Sequence, residues 1–231
     1  MSAGNAQRSL CLHATSADLS FLNPVKTRLK RVLGEGVRFL DLGNQHSCAD
    51  AKLKLRQAQS GFVVIMAHGT SDCIRSGEHR NRAGETQEAS DFLTKSELDA
   101  FAGKTVFCLS CDSNNLAEGA MAAGARAFVG FNEVPFVQFD EAGKPIKNDE
   151  LVLHSKRLLE TAMTATIERI VSRRNTIPES VSFLKYWICN QAVRFVREEK
   201  NVASRRDVAA LFLKVKDGVR YHGPDGLRFG D

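Results

Sequence analysis

At 231 residues, 43% hydrophobic and 26% charged, with a formal net charge of +5, the chain has ordinary globular composition and enough apolar material for a substantial core, which excludes a disordered or fibrous protein. No uninterrupted apolar run is longer than that from Phe62 to Ala67, far shorter than the roughly 20 residues that a membrane-spanning helix needs. The opening stretch, Met1 to Arg8, carries no apolar signal segment, so a soluble, cytoplasmic protein that does not engage a membrane is expected.

Six cysteines (Cys11, Cys48, Cys73, Cys108, Cys111 and Cys189) are scattered without framework spacing, which fits a reducing compartment and free thiols. Much of the positive charge lies after Lys156, including Arg173-Arg174 and Arg205-Arg206, in segments with helical periodicity. Exposed faces of amphipathic helices account for it, and direct nucleic-acid binding is not expected.

In chain order, Ser9 to Ala14 reads as a strand, and Asn23-Pro24 opens a helix that stops near Gly34, with Asn as N-cap and Pro at the first helical position. Val37 to Leu42 is a second strand, Cys48 to Gln59 a second helix and Phe62 to Ala67 a third strand. This alternation predicts a mainly parallel sheet covered by helices, a three-layer α/β/α sandwich formed by one domain over residues 1–231. From Thr70 to Phe92 the chain turns polar, with Arg75, Gly77, Arg80, Arg82 and Gly84, and reads as a long loop beside the active site. Thr94 to Glu97 has the shape of a capping box, starting a short helix to Phe101 that leads through Gly103 into a fourth strand, Thr105 to Leu109.

Ser113 to Ala123 is a small-residue helix and Ala127 to Phe131 a fifth strand, followed by a Pro/Gly-interrupted connection from Asn132 to Asp149. After about residue 150 come helical additions: a long amphipathic helix through Val171, a second from Pro178 to about Glu199 and a third from Arg205 to Leu213. Turn signals at Asp217-Gly218 and Pro224-Asp-Gly226 predict a small terminal hairpin.

Two of these strands stop on chemically capable side chains. Gly61-Phe-Val-Val-Ile-Met-Ala leads into His68-Gly69, and Lys104-Thr-Val-Phe-Cys-Leu-Ser leads into Cys111-Asp112. In parallel sheets, ligands gather beyond the carboxyl ends of the strands. If these strands are neighbours, about 4.8 Å apart, His68 and Cys111 face one crevice as base and thiol nucleophile. A strand-to-helix turn after Cys111 offers backbone amides and a dipole that favour a thiolate. Gly69, lacking a β-carbon, lets its N–H approach a substrate closely, so Gly69 and Cys111 amides are the candidate oxyanion donors.

An apolar strand ending in His-Gly, a helix, and an apolar strand ending in Cys resemble the caspase-like cysteine peptidases. Phe107-Cys-Leu-Ser-Cys111-Asp-Ser-Asn-Asn-Leu-Ala117, leading into Met121-Ala-Ala-Gly-Ala-Arg-Ala-Phe-Val129, is most similar to the bacterial CHAT branch. The resemblance spans roughly residues 9–231 in element order. It implies a caspase-like fold and a cysteine endopeptidase that hydrolyses a protein substrate with a His68/Cys111 dyad, needing no metal or cofactor. It also implies a regulated effector with an activating protein partner, of the kind that recurs in bacterial antiviral defence. The chain departs from the branch in carrying Asp112-Ser113-Asn114 after the nucleophile. The family's specificity loops correspond to Thr15 to Asp18, Thr70 onward and Asn132 to Glu133, which makes Asp18 and Glu133 candidate binders of a basic side chain. Asp112 is first a carboxylate at a helix N-terminus and second a wall of that pocket.

Other readings compete. A catalytically inactive interaction module could use the same scaffold. Cys108-Leu-Ser-Cys111 is formally a redox C-x-x-C, although strand alternation puts the two thiols on opposite faces. Cys73, His79, Cys108 and Cys111 match no recognised zinc spacing. His13 ends the first strand and either lines the crevice or supports the core, while His46, His154 and His222 read as surface residues.

Overall fold

The computed structural model describes residues 9–59, 61–80, 86–87, 89–134, 150–172 and 175–231. Eleven strands occur among them: β1 Ser9–His13, β2 Val37–Asp41, β3 Gly61–Met66, β4 His68–Gly69, β5 Cys73–Arg75, β6 His79–Arg80, β7 Thr86–Gln87, β8 Asp91–Thr94, β9 Lys104–Leu109, β10 Ala127–Gly130 and β11 Arg220–His222. The α-helices are α1 Asn23–Leu33, α2 Gln45–Gln57, α3 Asn114–Ala122, α4 Glu150–Val171, α5 Ile177–Glu198 and α6 Arg205–Gly218.

Six strands form the main sheet in the order β11-β10-β9-β3-β1-β2, all parallel except β11. Every described residue of β1, β9 and β10 is buried, as is β3 after Gly61. Continuous apolar runs such as Phe62-Val-Val-Ile-Met suit strands covered on both faces, because every second side chain meets a helix whichever way it points. One helical group packs α4 against α1, α5 and α6; a second packs α2 and α3 against the 3-10 helix Lys95–Phe101. This mixed α/β arrangement is that of a three-layer sandwich.

Local chemistry explains the boundaries. Asn44 and Ser47 bond reciprocally to start α2, and Thr176 and Glu179 do the same for α5, which also carries Pro178 in its first turn. The capping box at Thr94 and Glu97 is present, although the turn that it opens is 3-10 throughout. Gly103 takes φ 71° between that turn and β9, a conformation that a residue with a β-carbon rarely adopts.

Four local expectations differ from the structure. Asn23 is the first residue of α1 and not its cap, because a 3-10 turn, Ala17–Leu22, runs directly into the helix. α2 begins at Gln45, ahead of the expected Cys48, because the Asn44 box caps it there. The segment after Thr70 is not a structureless loop: β4, β5 and β8 pair antiparallel into a small sheet that buries Ile74, Phe92 and Leu93 completely. Strands of two to four residues are too short to display a period. The expected terminal hairpin is a single strand, β11, which pairs with β10 through Phe128↔His222 and extends the main sheet. Arg82, Gly84 and most of the 132–149 connection lie outside the described residues. Among the described residues, no helix is long and apolar enough to cross a membrane.

Candidate active site

The main sheet sets β3 between β1 and β9. The last paired residues of β3 and β9 are Met66 and Leu109, and the Ala67 N–H continues the ladder to the Leu109 carbonyl at 3.2 Å. Two positions further along each strand stand His68 and Cys111. The chain is closely apposed here: a β-carbon placed on Gly69 would lie 2.6 Å from the Cys111 carbonyl oxygen and inside the Ser110 hydroxyl. His68 and Gly69 also form β4, so the small antiparallel sheet grows directly out of the end of β3. The imidazole and the thiol are thus delivered by neighbouring rails of one sheet, at the same level.

His68 turns Nε2 toward the loop after β1. Asp18 Oδ2 lies 3.1 Å from that nitrogen and Ser16 Oγ 3.4 Å, and the Asp18 and His68 side chains are equally exposed, at 27%. Burial draws the Asp18 carboxyl upward, yet hydrogen bonds from His68 and Ser16, together with the electrostatic pull of His68 and Lys156, outweigh it and hold the group at about 2. Lys156 reaches in from α4 with its ammonium 5.5 Å from the centre of the Phe21 ring, half-buried. Asp18 therefore already has three polar neighbours. The expectation that it waits for a basic substrate side chain did not foresee them.

Cys111 is half-buried, and its thiol donates to the Val134 carbonyl at 3.4 Å. The turn that carries it is laced to the end of β10. The Asp112 N–H donates to Asn132 O at 2.6 Å, Asn114 N–H to Phe131 O at 3.0 Å, and the fully buried Ser113 hydroxyl donates to Cys108 O and Ser110 O. Asn114 Nδ2 also bonds Asn132 Oδ1 and Gly218 O, tying in the end of α6. Asp112 is exposed and occupies the left-handed region at φ 54°, the one described non-glycine residue that does so.

This surrounding overturns the expected depressed thiol. Burial pushes Cys111 up to about 11, and the carboxylates of Asp112 and Glu133 add to the effect. The helix dipole does not rescue it, because α3 begins only at Asn114, beyond the thiol. At neutral pH the resting sulfur is protonated. Glu133, like Asp112, is exposed and close enough to bear on the thiol.

Other candidates fall away on geometry. His13 is buried, its Nδ1 3.3 Å from Lys26 Nζ, and burial reinforced by the Lys26 charge lowers it to about 4, so it supports the core and does not line the crevice. Cys108 is fully buried, which pushes its thiol up to about 12, whereas Cys111 is only partly covered. His154 lies tilted against Phe195 with ring centres 5.1 Å apart, and His222 is half-buried in β11, so each is partly covered at the surface; His46 is exposed. Cys73 and Arg75 belong to β5 and not to a solvated loop, with Arg75 donating to Ala89 O and Cys73 to Asp91. Among the described residues, no three His, Cys, Asp or Glu side chains converge as a metal ion would require.

Sequence reasoning missed Ser16, Lys156 and the Val134 carbonyl. Lys156 sits on a long amphipathic helix, where a lysine usually means a solvated face. A backbone carbonyl leaves no signal at all. No family model and no curated protein matches the chain.

Proposed function

We propose that the chain is a caspase-like cysteine endopeptidase of the CHAT type, in which Cys111 attacks the substrate carbonyl and His68 moves the protons. The observation that carries the reading is the register of β3 on β9, which brings two neighbouring parallel strands to their ends at the same level, one leading into His68 and the other into Cys111, with Gly69 against the Cys111 backbone. In the first step the thiol gives its proton to His68, Sγ bonds to the peptide carbonyl carbon, and the π electrons move onto oxygen. The Gly69 and Cys111 amides are the donors for that oxyanion. As the oxyanion collapses, the C–N bond breaks and His68 returns the proton to the departing amine. Water then attacks the thioester carbon, losing a proton to His68, and the C–S bond breaks to restore the thiol and release the acid.

The protonated, half-covered sulfur supports a regulated enzyme, quiet until an activating partner or the substrate itself rearranges the Asn132 to Val134 segment. Exposed Asp112 and Glu133 supply negative charge beside the sulfur and fit a basic residue before the scissile bond. A place in bacterial defence follows from the resemblance alone.

A panel of peptidyl acyloxymethyl ketones, whose reaction needs both thiol and imidazole, tests the proposal. Mass spectrometry is expected to find an adduct on Cys111 that disappears in His68→Ala. The raised thiol favours a second reading, a non-catalytic interaction module. It predicts no ketone adduct, and iodoacetamide labelling at Cys111 slower than at exposed Cys189 and indifferent to His68.

A further inference from the structure

We propose that Asp18 is a positioning residue for His68, so that the strand-end site is a row of three side chains in the spatial order carboxylate, imidazole, thiol. The proposal rests on the cysteine-peptidase reading and adds to it a residue that the dyad does not contain.

Topology supplies the row. β1, β3 and β9 are consecutive rails of the main sheet, and each delivers one side chain past its carboxyl end: Asp18 from the 3-10 turn after β1, His68 from β3 and Cys111 from β9. The middle rail carries the imidazole, with an acid on one flank and a thiol on the other.

Asp18 is held in place from several sides. Its turn is anchored by Leu19 and Leu22, both fully buried. Ser16, the residue before that turn, bonds Asp18 and approaches the same His68 nitrogen at 3.4 Å. Ser16 is in turn backed by Gly77, where an added β-carbon would come within 2.8 Å of the Ser16 β-carbon. Lys156 adds a cation close enough to act on the carboxylate.

Such a carboxylate does two things for an imidazole. By accepting from Nε2–H it selects one neutral tautomer, in which Nδ1 is the basic nitrogen, and it lowers the free energy of the imidazolium formed when the thiol ionises. The second effect matters here because the sulfur resists ionisation. Proton transfer from a thiol at about 11 is uphill, and a fixed counter-charge beside the acceptor lessens the climb. A carboxylate engaged by His68, Ser16 and Lys156 is, by the same token, a poor receptor for a substrate guanidinium.

The test uses the full chain with Asp18→Asn and Asp18→Glu. Long-range proton–nitrogen NMR of histidine-labelled protein, with His68 assigned by its loss in His68→Gln, is expected to show the Nε2–H tautomer in wild type, its loss in Asp18→Asn and its retention in Asp18→Glu. With fluorogenic peptides carrying Arg or Leu before the scissile bond, Asp18→Asn is expected to lower kcat by about 10²- to 10⁴-fold for both, with KM unchanged and partial recovery in Asp18→Glu. A rise in KM confined to the Arg peptide, with kcat retained, makes Asp18 a pocket wall and overturns the proposal. So does an Nδ1–H tautomer in wild type, a result that stands even if Asp18→Asn fails to fold. Absence of both Cys111-dependent hydrolysis and a His68-dependent ketone adduct in wild type removes the peptidase reading and the catalytic role with it. An active wild type whose kcat and tautomer ignore Asp18→Asn removes the Asp18 role alone.

Discussion

Replacing Gly69 with alanine probes the contact on which the site is built. The glycine is not required for its backbone angles, since it is absent from the described glycines with positive φ. It is required for space. The new methyl would stand 2.6 Å from the Cys111 carbonyl oxygen and overlap the Ser110 hydroxyl, whereas unstrained non-bonded contacts are about 3.5 Å. Ser110 is fully buried and cannot swing away, and the Cys111 oxygen is main chain, so β4 must move off the end of β9 by roughly 1 Å. Overpacking of this kind destabilises by about 1–3 kcal/mol, and an unyielding backbone neighbour puts Gly69→Ala near the upper value. With a urea dependence near 3 kcal/mol/M, the unfolding midpoint falls by about 1 M. A displacement of about 1 Å between reacting groups also lowers the rate of ketone adduct formation at Cys111 roughly 10²-fold. Ser110→Ala serves as the control. Its buried hydroxyl finds no hydrogen-bond partner among the described residues, so removing it is nearly neutral, and combined with Gly69→Ala it recovers only part of the loss because the Cys111 oxygen remains in the way. Wild-type stability and adduct formation in Gly69→Ala would refute the apposition of the two strand ends.

Further outcomes follow from two strained or buried groups. His13 titrates at about 4 in the folded chain against 6.5 ordinarily, so between those values the unfolded state takes up a proton that the folded state does not. Stability relative to a His13→Gln variant should therefore fall by about 3 kcal/mol as pH drops from 7 to 4, read from urea midpoints; a constant difference would show that His13 titrates alike in the folded and unfolded chain. Asp112 stands at φ 54°, where a β-branched residue is penalised, so Asp112→Val should cost about 1–2 kcal/mol and lower Tm by roughly 2–8 °C. Asp112→Gly should be nearly neutral in stability, because relief of strain offsets the added freedom of the unfolded chain. By removing one carboxylate beside the sulfur, that same variant should raise the neutral-pH alkylation rate of Cys111; an unchanged rate would mean that Asp112 does not act on the thiol.

Much of the scaffold is legible in the residues. The run from Phe62 to Ala67 and the run from Thr105 to Leu109 announce buried strands because a two-sided core demands apolar side chains at every position. The capping residues at Thr94, Glu97 and Pro178 announce turns and helix starts through chemistry confined to a few neighbours. The small sheet of β4, β5 and β8 is not legible, since its strands are too short to alternate, and neither is the destination of β11, which is decided by an edge vacant on β10.

The site divides along the same line. That His68-Gly69 and Cys111 terminate apolar strands is a local fact, present in the order of residues. That Asp18 and Ser16 reach His68, that Val134 accepts from the thiol and that burial and Glu133 raise it depend on groups brought together across wide sequence separations. Periodicity and capping act over one or two turns of chain, and so they can be read along the sequence. Strand order and desolvation are properties of the packed molecule, and only the tertiary structure determines which carboxylate meets the imidazole and how little water remains around the sulfur.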